Sequence, residues 1–369
     1  MKAHVYQRRS NVWAVVVEVG KDENGRRKQK WHTVKGTKRQ ADAKAVELAH
    51  KVETGQYVEP TKITAASWLD EWLTQYVAIS VRPTTAQSYR DAVTFWKRYL
   101  GDVPLAKLTP LGIQNAVNEA VKGYSTSTVR LRLTILHKAL KDAVGAELIY
   151  RNPADGTRGP REQKKSVRVT DSEGLLRILE AAKDTPWFVP TYLAAATALR
   201  RGEVLALTWD QLDWENRWLR VQSSYGGTGT GDAKTKDSRR PVLLDGSTVA
   251  VLRAEHKQQA KYKLAFGKGY HDHDLVCATE RGEHLSPSGL SKGFRAIALS
   301  VGIDLNFHGL RHTHASLLAA AGVHSKAIAD RLGHSNQDFT LNHYVSALPT
   351  MQQEAVRVLN GLLPAVGGG

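Results

Sequence analysis

LGHSNQDFTLNHYVS, residues 332–346, carries a tyrosine, Tyr344, late in a segment of helical pattern and ten residues after His334. Most tyrosines are half-buried and end as packing. A histidine, a polar run and then a tyrosine raise the question of what chemistry a phenol would do here. The answer depends on what else the chain supplies.

The 369 residues suggest two or three domains, on a prior of about 150 residues each. Hydrophobic residues make up 41%, enough for real cores. The formal net charge is +16. Such an excess is costly in self-repulsion and points to a polyanionic partner, nucleic acid first and an acidic membrane surface second. No apolar run approaches the roughly 20 residues that span a bilayer. The basic start followed by a brief apolar stretch is too short for a signal peptide. The single cysteine, Cys277, excludes an internal disulfide and a thiolate zinc cluster, and it fits a reducing cytosol. The expected location is cytoplasmic. Cys277 lies in HDLVCATE, an apolar strand-like run, and reads as core.

Residues 1–58 read as short strands around an Asn24-Gly25 turn, followed by one helix ending at Gly55. Arg8, Arg9, Arg26, Arg27, Lys28 and Lys30 crowd the strands, with Trp13 and Trp31 nearby. A solvated hairpin is the bland reading of such a segment. The charge imbalance favours a small DNA-contacting module. Residues 62–150 read as four helices. In the first, Trp68, Leu69, Trp72, Leu73 and Tyr76 form one stripe, read as core and not as a base-stacking surface. The fourth turns Val129, Leu133, Leu136 and Leu140 inward and carries Arg130 and Arg132 on its basic surface. Residues 151–168, rich in Pro, Gly and charge, read as a linker. In the third domain, 169–369, Thr170 and Glu173 suggest a capping box. Two strand candidates, RWLRVQSS and RRPVLL, flank a Gly/Lys-rich segment, and mostly helix follows to Pro349.

Several short sites stand out in this last domain. TALRRGEVLALTW holds Arg200 and Glu203 three apart, on one helix face. HGLRHTHAS holds His308 and Arg311 at the same spacing, and DAKTKDSRR offers Lys234 and Lys236. Taken singly, each favours a bland reading: a surface ion pair worth tenths of a kcal/mol, a capping histidine, a solvated lysine. HTH and HDHD, the latter His271 to Asp274, raise the question of a metal. Neither has the spacing of a His-Glu-x-x-His zinc enzyme, and no obvious carboxylate cluster for magnesium is present. Taken together the sites converge on phosphoryl transfer. Two arginines can clamp a phosphate. A lysine or histidine can protonate a departing alkoxide. A phenol, of pKa about 10, can attack phosphorus if it loses its proton as it does so.

At this point the sequence resembles the tyrosine recombinase, or phage integrase, family. The resemblance rests on Leu199-Arg200-Arg201-Gly202-Glu203, KTKDSRRPVLL, HGLRHTHAS and LGHSNQDFTLNHYVS, in that order. It implies a mainly α fold with small β elements: an N-terminal three-stranded sheet plus helix (an arm-type DNA-binding module), a helical core-binding bundle, and a mixed, mostly helical catalytic domain. It implies that Arg200 and Arg311 hold the scissile phosphate and that Lys234 protonates the leaving 5′ oxygen, with Lys236 open as the alternative. His308 and His334 would orient the phosphate and assist proton transfer. Tyr344 would form a 3′-phosphotyrosine link, and Glu203 would brace the site. Ala198 departs from the family's frequent glycine, which bears on the local turn. The expectation is a phage-type integrase acting on double-stranded DNA attachment sites as a homotetramer. It would need no cofactor and no metal, and an excision factor and a DNA-bending host protein would be accessory partners. Alternatives are a type IB topoisomerase-like relaxing enzyme and a catalytically silent DNA-binding protein.

Overall fold

A computed structural model describes residues 3–21, 25–57, 62–161, 168–226, 229–232 and 239–333. The chain divides into two compact units, residues 1–164 and 165–369.

The first unit opens with β1 (Ala3–Arg9), β2 (Val12–Lys21) and β3 (Arg27–Lys35), an antiparallel sheet in that order. Asn24 of the expected turn lies outside the described residues. Gly25 has φ +74°, the left-handed backbone that such a turn asks of a glycine. Thr37 caps α1 (Lys38–Glu53) reciprocally: its hydroxyl accepts from the Gln40 N–H, and the Gln40 side chain accepts from the Thr37 N–H at 2.8 Å. One face of α1 lays Ala41, Ala45 and Leu48 on Val15 and Val17 of the sheet.

A helical bundle follows. α2 (Ala65–Trp72) runs through a π-helical turn, Leu73–Val77, into α3 (Ala78–Ser80); then come α4 (Pro83–Leu100), α5 (Pro110–Gly123) and α6 (Thr126–Gly145). Trp68, Trp72 and Trp96 are buried at its centre, and each indole N–H finds an acceptor: Ala139 O at 3.0 Å, Asp142 Oδ2 at 2.7 Å and Arg132 O at 2.8 Å. Those bonds let a polar ring edge sit in a core. Tyr76 corrects the expected stripe. The wide π turn inserts an extra residue into the helical repeat, so Val77 takes the buried position and Tyr76 is 38% exposed. The first half of the expected linker packs on this bundle. Asn152 Nδ2 donates to His137 O at 3.0 Å, and the Arg158 N–H donates to Gln114 Oε1 at 2.9 Å.

The second unit contains α7 (Ser172–Ala182), α8 (Phe188–Thr197) and α9 (Arg201–Leu205). Asp171, not Thr170, caps α7, accepting the Gly174 N–H at 2.8 Å. A carboxylate at the positive end of a helix outcompetes a hydroxyl one residue earlier. The Thr170 N–H instead donates to Thr313 Oγ1 at 3.1 Å. Five short strands follow: β4 (Leu212–Asp213), β5 (Trp218–Val221), β6 (Ser223–Tyr225), β7 (Thr230–Asp232) and β8 (Arg240–Leu243). The two expected strands, β5 and β8, pair antiparallel, with β4 on the far edge of β5. The first expected strand breaks near its end: Ser223 and Ser224 leave β5 and, with Tyr225, form β6, which pairs antiparallel with β7 in the Gly/Lys-rich segment that was expected to be a plain connection. Then come α10 (Gly246–Phe266), α11 (Pro287–Ser300), α12 (Phe307–Ala320) and α13 (Ser325–Leu332). Leu193, Leu219, Val242, Val276, Phe294 and Leu310 belong to the shared core. Cys277 is buried there, and burial pushes its thiol pKa up. Its run forms isolated bridges, Thr208 to Leu275 and Ala278 to His284, and not a strand. Among the described residues no helix is long and apolar enough to cross a membrane.

Ala198 ends α8 in the left-handed conformation, φ 56° and ψ 25°, which explains why glycine suits this position. Its methyl is fully buried against Ala315, Ala319, Ile328 and Leu332, so the packing offsets part of the backbone cost. Ala198→Gly should change the unfolding free energy by less than about 1 kcal/mol, because relief of strain and loss of packing oppose. Ala198→Val should cost roughly 3 kcal/mol, combining a β-branched residue in this conformation with overpacking. Denaturant unfolding of the full-length variants checks both. An Ala198→Val protein as stable as the parent would show that the turn relaxes.

Candidate active site

Glu203 is the centre of the site. It sits in α9, 4% exposed, and its carboxylate is held from two sides. Arg200, just before the helix, donates its backbone N–H to Oε2 at 2.9 Å and Nη1 to Oε1 at 2.7 Å. Arg240, at the start of β8, donates Nη2 to Oε2 at 3.1 Å. Burial alone pushes the Glu203 carboxyl pKa up; the charge and hydrogen bond of Arg240, then those of Arg200, outweigh it and hold it below the ordinary range. In place of the surface ion pair of the bland reading, a buried carboxylate meets a half-buried guanidinium. Gly202 is required by close approach, since a Cβ there would lie 2.4 Å from Ser224 Oγ on β6.

α12 brings His308 and Arg311 to the same place. Asn306 caps that helix, accepting the Gly309 N–H at 2.8 Å. Arg311 is 1% exposed and donates Nη1 to Ala198 O at 2.7 Å and Nη2 to Leu332 O. Arg200 Nη2 donates to the next carbonyl, Gly333 O, at 3.2 Å. His308 is pushed below the usual imidazole range, first by burial, then by the charges of Arg311 and Arg200. Its imidazole is therefore neutral at pH 7 and lies in the field of both guanidiniums. Three of the predicted residues, with Glu203, are thereby drawn together from positions over 100 residues apart.

Lys234, Lys236, His334 and Tyr344 lie outside the described residues. His334 directly follows Gly333, whose carbonyl Arg200 holds.

Sequence reading missed Arg240, His314 and Arg331. Arg240 is 7% exposed, and the inward-outward alternation of RPVL in β8 was the available signal. The second histidine of HTH, His314, lies 2.8 Å through Nδ1 from Ala195 O and accepts from Arg331 Nε at 3.2 Å through Nε2. These partners require the neutral Nδ1–H tautomer. Arg331 also donates to Ala196 O at 3.0 Å and Leu243 O at 3.2 Å. HDHD does not converge: Asp272 pairs with Lys263 at 2.7 Å, and His271 lies 4.0 Å from Glu283. Among the described residues no three His, Cys, Asp or Glu side chains group as metal ligands.

The predicted DNA-contacting residues divide. Strand alternation puts Tyr6, Arg8, Arg27 and Trp31 on the sheet face away from α1, and Lys28 and Lys30 on the other. The Tyr6 and Trp31 rings stack at 6.3 Å, and the Arg8 guanidinium lies 5.4 Å from the Trp31 ring. Arg27 lies 3.6 Å from Glu18. Arg9 and Arg26 are exposed at strand ends. In the bundle, Arg130 donates to Pro160 O at 3.0 Å, and Arg132 stacks 4.2 Å from Phe95 and 5.1 Å from Tyr124.

The profile of the "Phage integrase family" matches residues 168–351, and that of the "Phage integrase, N-terminal SAM-like domain" matches 64–121. A "Tyrosine recombinase XerC-like" protein of Caldanaerobacter subterraneus is 29% identical over 95% of this chain and 96% of its own length. An "Integrase" of Streptomyces ambofaciens is 26% identical over 95% and 93%. Among solved structures, the Tn1549 transposon integrase in complex with transposon right end DNA has a TM-score of 0.66 at 19% identity, covering 80% of this chain and all of that one. A lambda integrase tetramer bound to a Holliday junction scores 0.60 at 20% identity, covering 90% and 96%.

The His314 contacts make stability depend on pH. Its folded pKa is lowered from 6.5 to about 4, by burial first. Between those values the unfolded chain binds a proton that the folded chain does not, so stability is full above pH 6.5 and is lost as pH falls toward 4. The Glu203 contribution has the same sign and is lost at lower pH, as pH falls through its own depressed value. His314→Gln keeps an amide donor and acceptor but has no proton to gain. Its thermal midpoint should therefore fall less steeply than the parent's over that window; equal slopes would show that His314 is not the group responsible.

Proposed function

The chain belongs to the phage integrase family of tyrosine recombinases, and we propose that it cuts and rejoins DNA strands through a covalent bond between Tyr344 and phosphorus. It is a site-specific DNA recombinase. The observation that carries the residue assignments is the convergence of Arg200 and Arg311 on neighbouring carbonyls, with neutral His308 in the field of both.

In the proposed cleavage step the Tyr344 oxygen attacks the scissile phosphorus, losing its proton to a base. A P–O bond to tyrosine forms as the bond from phosphorus to the 5′ oxygen breaks. Lys234, or Lys236, gives a proton to that leaving oxygen. Arg200 and Arg311 stabilise the negative charge on the non-bridging oxygens, which needs fixed positive charge and no reorganisation. His308 and His334 donate to the phosphate or relay protons. Ligation is the reverse, with a 5′ hydroxyl from another strand as nucleophile. The phosphotyrosine keeps the bond energy, so no nucleotide is consumed and no cofactor is required.

The substrates we assign are double-stranded attachment sites of a mobile element, bound by a homotetramer, the assembly in which lambda integrase is bound to a Holliday junction. An excision factor and a DNA-bending host protein are the accessory partners of this reading. Residues 1–58 act as an arm-type module, residues 62–150 as the core-binding domain and residues 169–369 as the catalytic domain, joined by the linker at 151–168. The open sheet face with Tyr6, Arg8, Arg27 and Trp31 supports the first assignment. It joins positive charge to exposed rings, which suits a polyanion with aromatic bases.

Tyr344→Phe should bind DNA as the parent does and form no adduct on a nicked suicide duplex run on a denaturing gel. A surviving adduct would mean that another residue attacks. Arg200→Ala and Arg311→Ala each remove a stabilising donor, a loss of roughly 2.7–4 kcal/mol, or about two orders of magnitude in cleavage rate. Filter binding beside single-turnover cleavage separates the roles: affinity that collapses in step with rate would make these binding residues.

A further inference from the structure

Three successive carbonyls end α13 and pass the chain toward His334. Each receives a different arginine: Arg331 O from Arg240 Nε at 2.7 Å, Leu332 O from Arg311, and Gly333 O from Arg200 at 3.2 Å. The last carbonyls of a helix lack intrahelical partners, and cations there also meet the negative end of its dipole. Two of these arginines are the proposed phosphate holders. The third, Arg240, is 7% exposed, with its guanidinium on the buried Glu203 and its Nε on Arg331 O. It touches both supports of Arg200: the carboxylate that holds Arg200 Nη1, and the helix end that holds Nη2.

We propose that Arg240 is a positioning residue for strand cleavage, which fixes the Glu203 carboxylate and the end of α13 so that the Arg200 guanidinium is set for the phosphate. The inference rests on the reading of Arg200 as a phosphate-holding residue. Without Arg240 the buried carboxylate keeps one charged partner. Arg200 is then drawn onto Glu203 and away from the reacting atoms, and the Arg331 carbonyl loses a donor. Glu203 would also protonate more readily, since burial raises its pKa and Arg240 is the largest opposing influence. Among the described residues, the other charged or titratable groups around the Glu203–Arg240 pair are Arg200 itself, Arg311 and His308 on α12, and Arg331 on α13.

The test uses full-length protein and a nicked duplex selected from a randomised pool by its covalent adduct with the unaltered chain. Arg240→Met should cut single-turnover cleavage by about 10- to 100-fold, the usual effect of removing a supporting partner, with DNA affinity little changed. Its cleavage should also acquire an acid limb that the parent lacks at the same pH, and adding Glu203→Gln should abolish that limb. Arg240→Lys restores a charge beside Glu203, so it should cleave at an intermediate rate without the limb. A loss of packing alone would move neither the limb nor its suppression. If Arg240→Met does not fold, Arg240→Lys decides: a parental cleavage rate, or a rate loss matched by an equal loss of DNA affinity, overturns the proposal. Parental rate and pH profile in Arg240→Met also overturn it, leaving the functional reading intact. No adduct with the unaltered chain overturns that reading, and this inference with it.

Discussion

One buried carboxylate sets the plan of the second unit. An ionised Glu203 at 4% exposure would be prohibitive alone, because the penalty for taking a charge out of water is several kcal/mol even after relaxation. Two guanidiniums offset it, and each reaches it from a different element. The short helix α9, the first residue of β8 and the loop after α8 are thereby tied to one point. Removing either arginine leaves a charge with half its compensation. The inward turn of Arg240 follows from that requirement.

The sequence carried the amphipathic helices and the reactive residue types well, because both are local. Trp68 and Trp72 were legible as core from spacing alone, and both are buried. Tyr76 was not, because a π turn changes the period and leaves no mark in the hydrophobic pattern. Asp171 and Thr170 are both good caps, and backbone geometry chose between them. Glu203 was legible as a bracing carboxylate but not as a buried one, since burial depends on β8 arriving from 37 residues away. Arg240 and His314 sit inside stretches that were singled out for other residues. Their partners, the Glu203 carboxylate and Arg331 carbonyl for the first and the Ala195 carbonyl and Arg331 guanidinium for the second, come from distant stretches, so the alternation of RPVL in β8 was the one local sign of Arg240.

The basic residues show how little charge says about position. Arg132 reads as a surface cation, yet its guanidinium lies against the paired rings of Phe95 and Tyr124 and its own carbonyl takes the Trp96 indole N–H. An arginine so placed contributes packing as much as charge. The N-terminal sheet does the reverse. Ala14 and Val16 are buried on its open side, between the strands that carry Tyr6 and Trp31, so small and branched residues in the middle strand support large rings at the surface.

The hydrogen bonds of the arginine cluster span long stretches of chain: 113 residues from Arg311 to Ala198, 133 from Arg200 to Gly333, and 91 from Arg240 to Arg331. Synthesis runs at about 5–20 residues per second, so on the order of ten seconds separate the emergence of Arg200 from that of its last carbonyl partner. During that interval the α9 pair of Arg200 and Glu203 can form, but Arg311 and the end of α13 do not yet exist. Competence in this unit is therefore a late event on the ribosome, and a chain released early carries the arginines without their cluster.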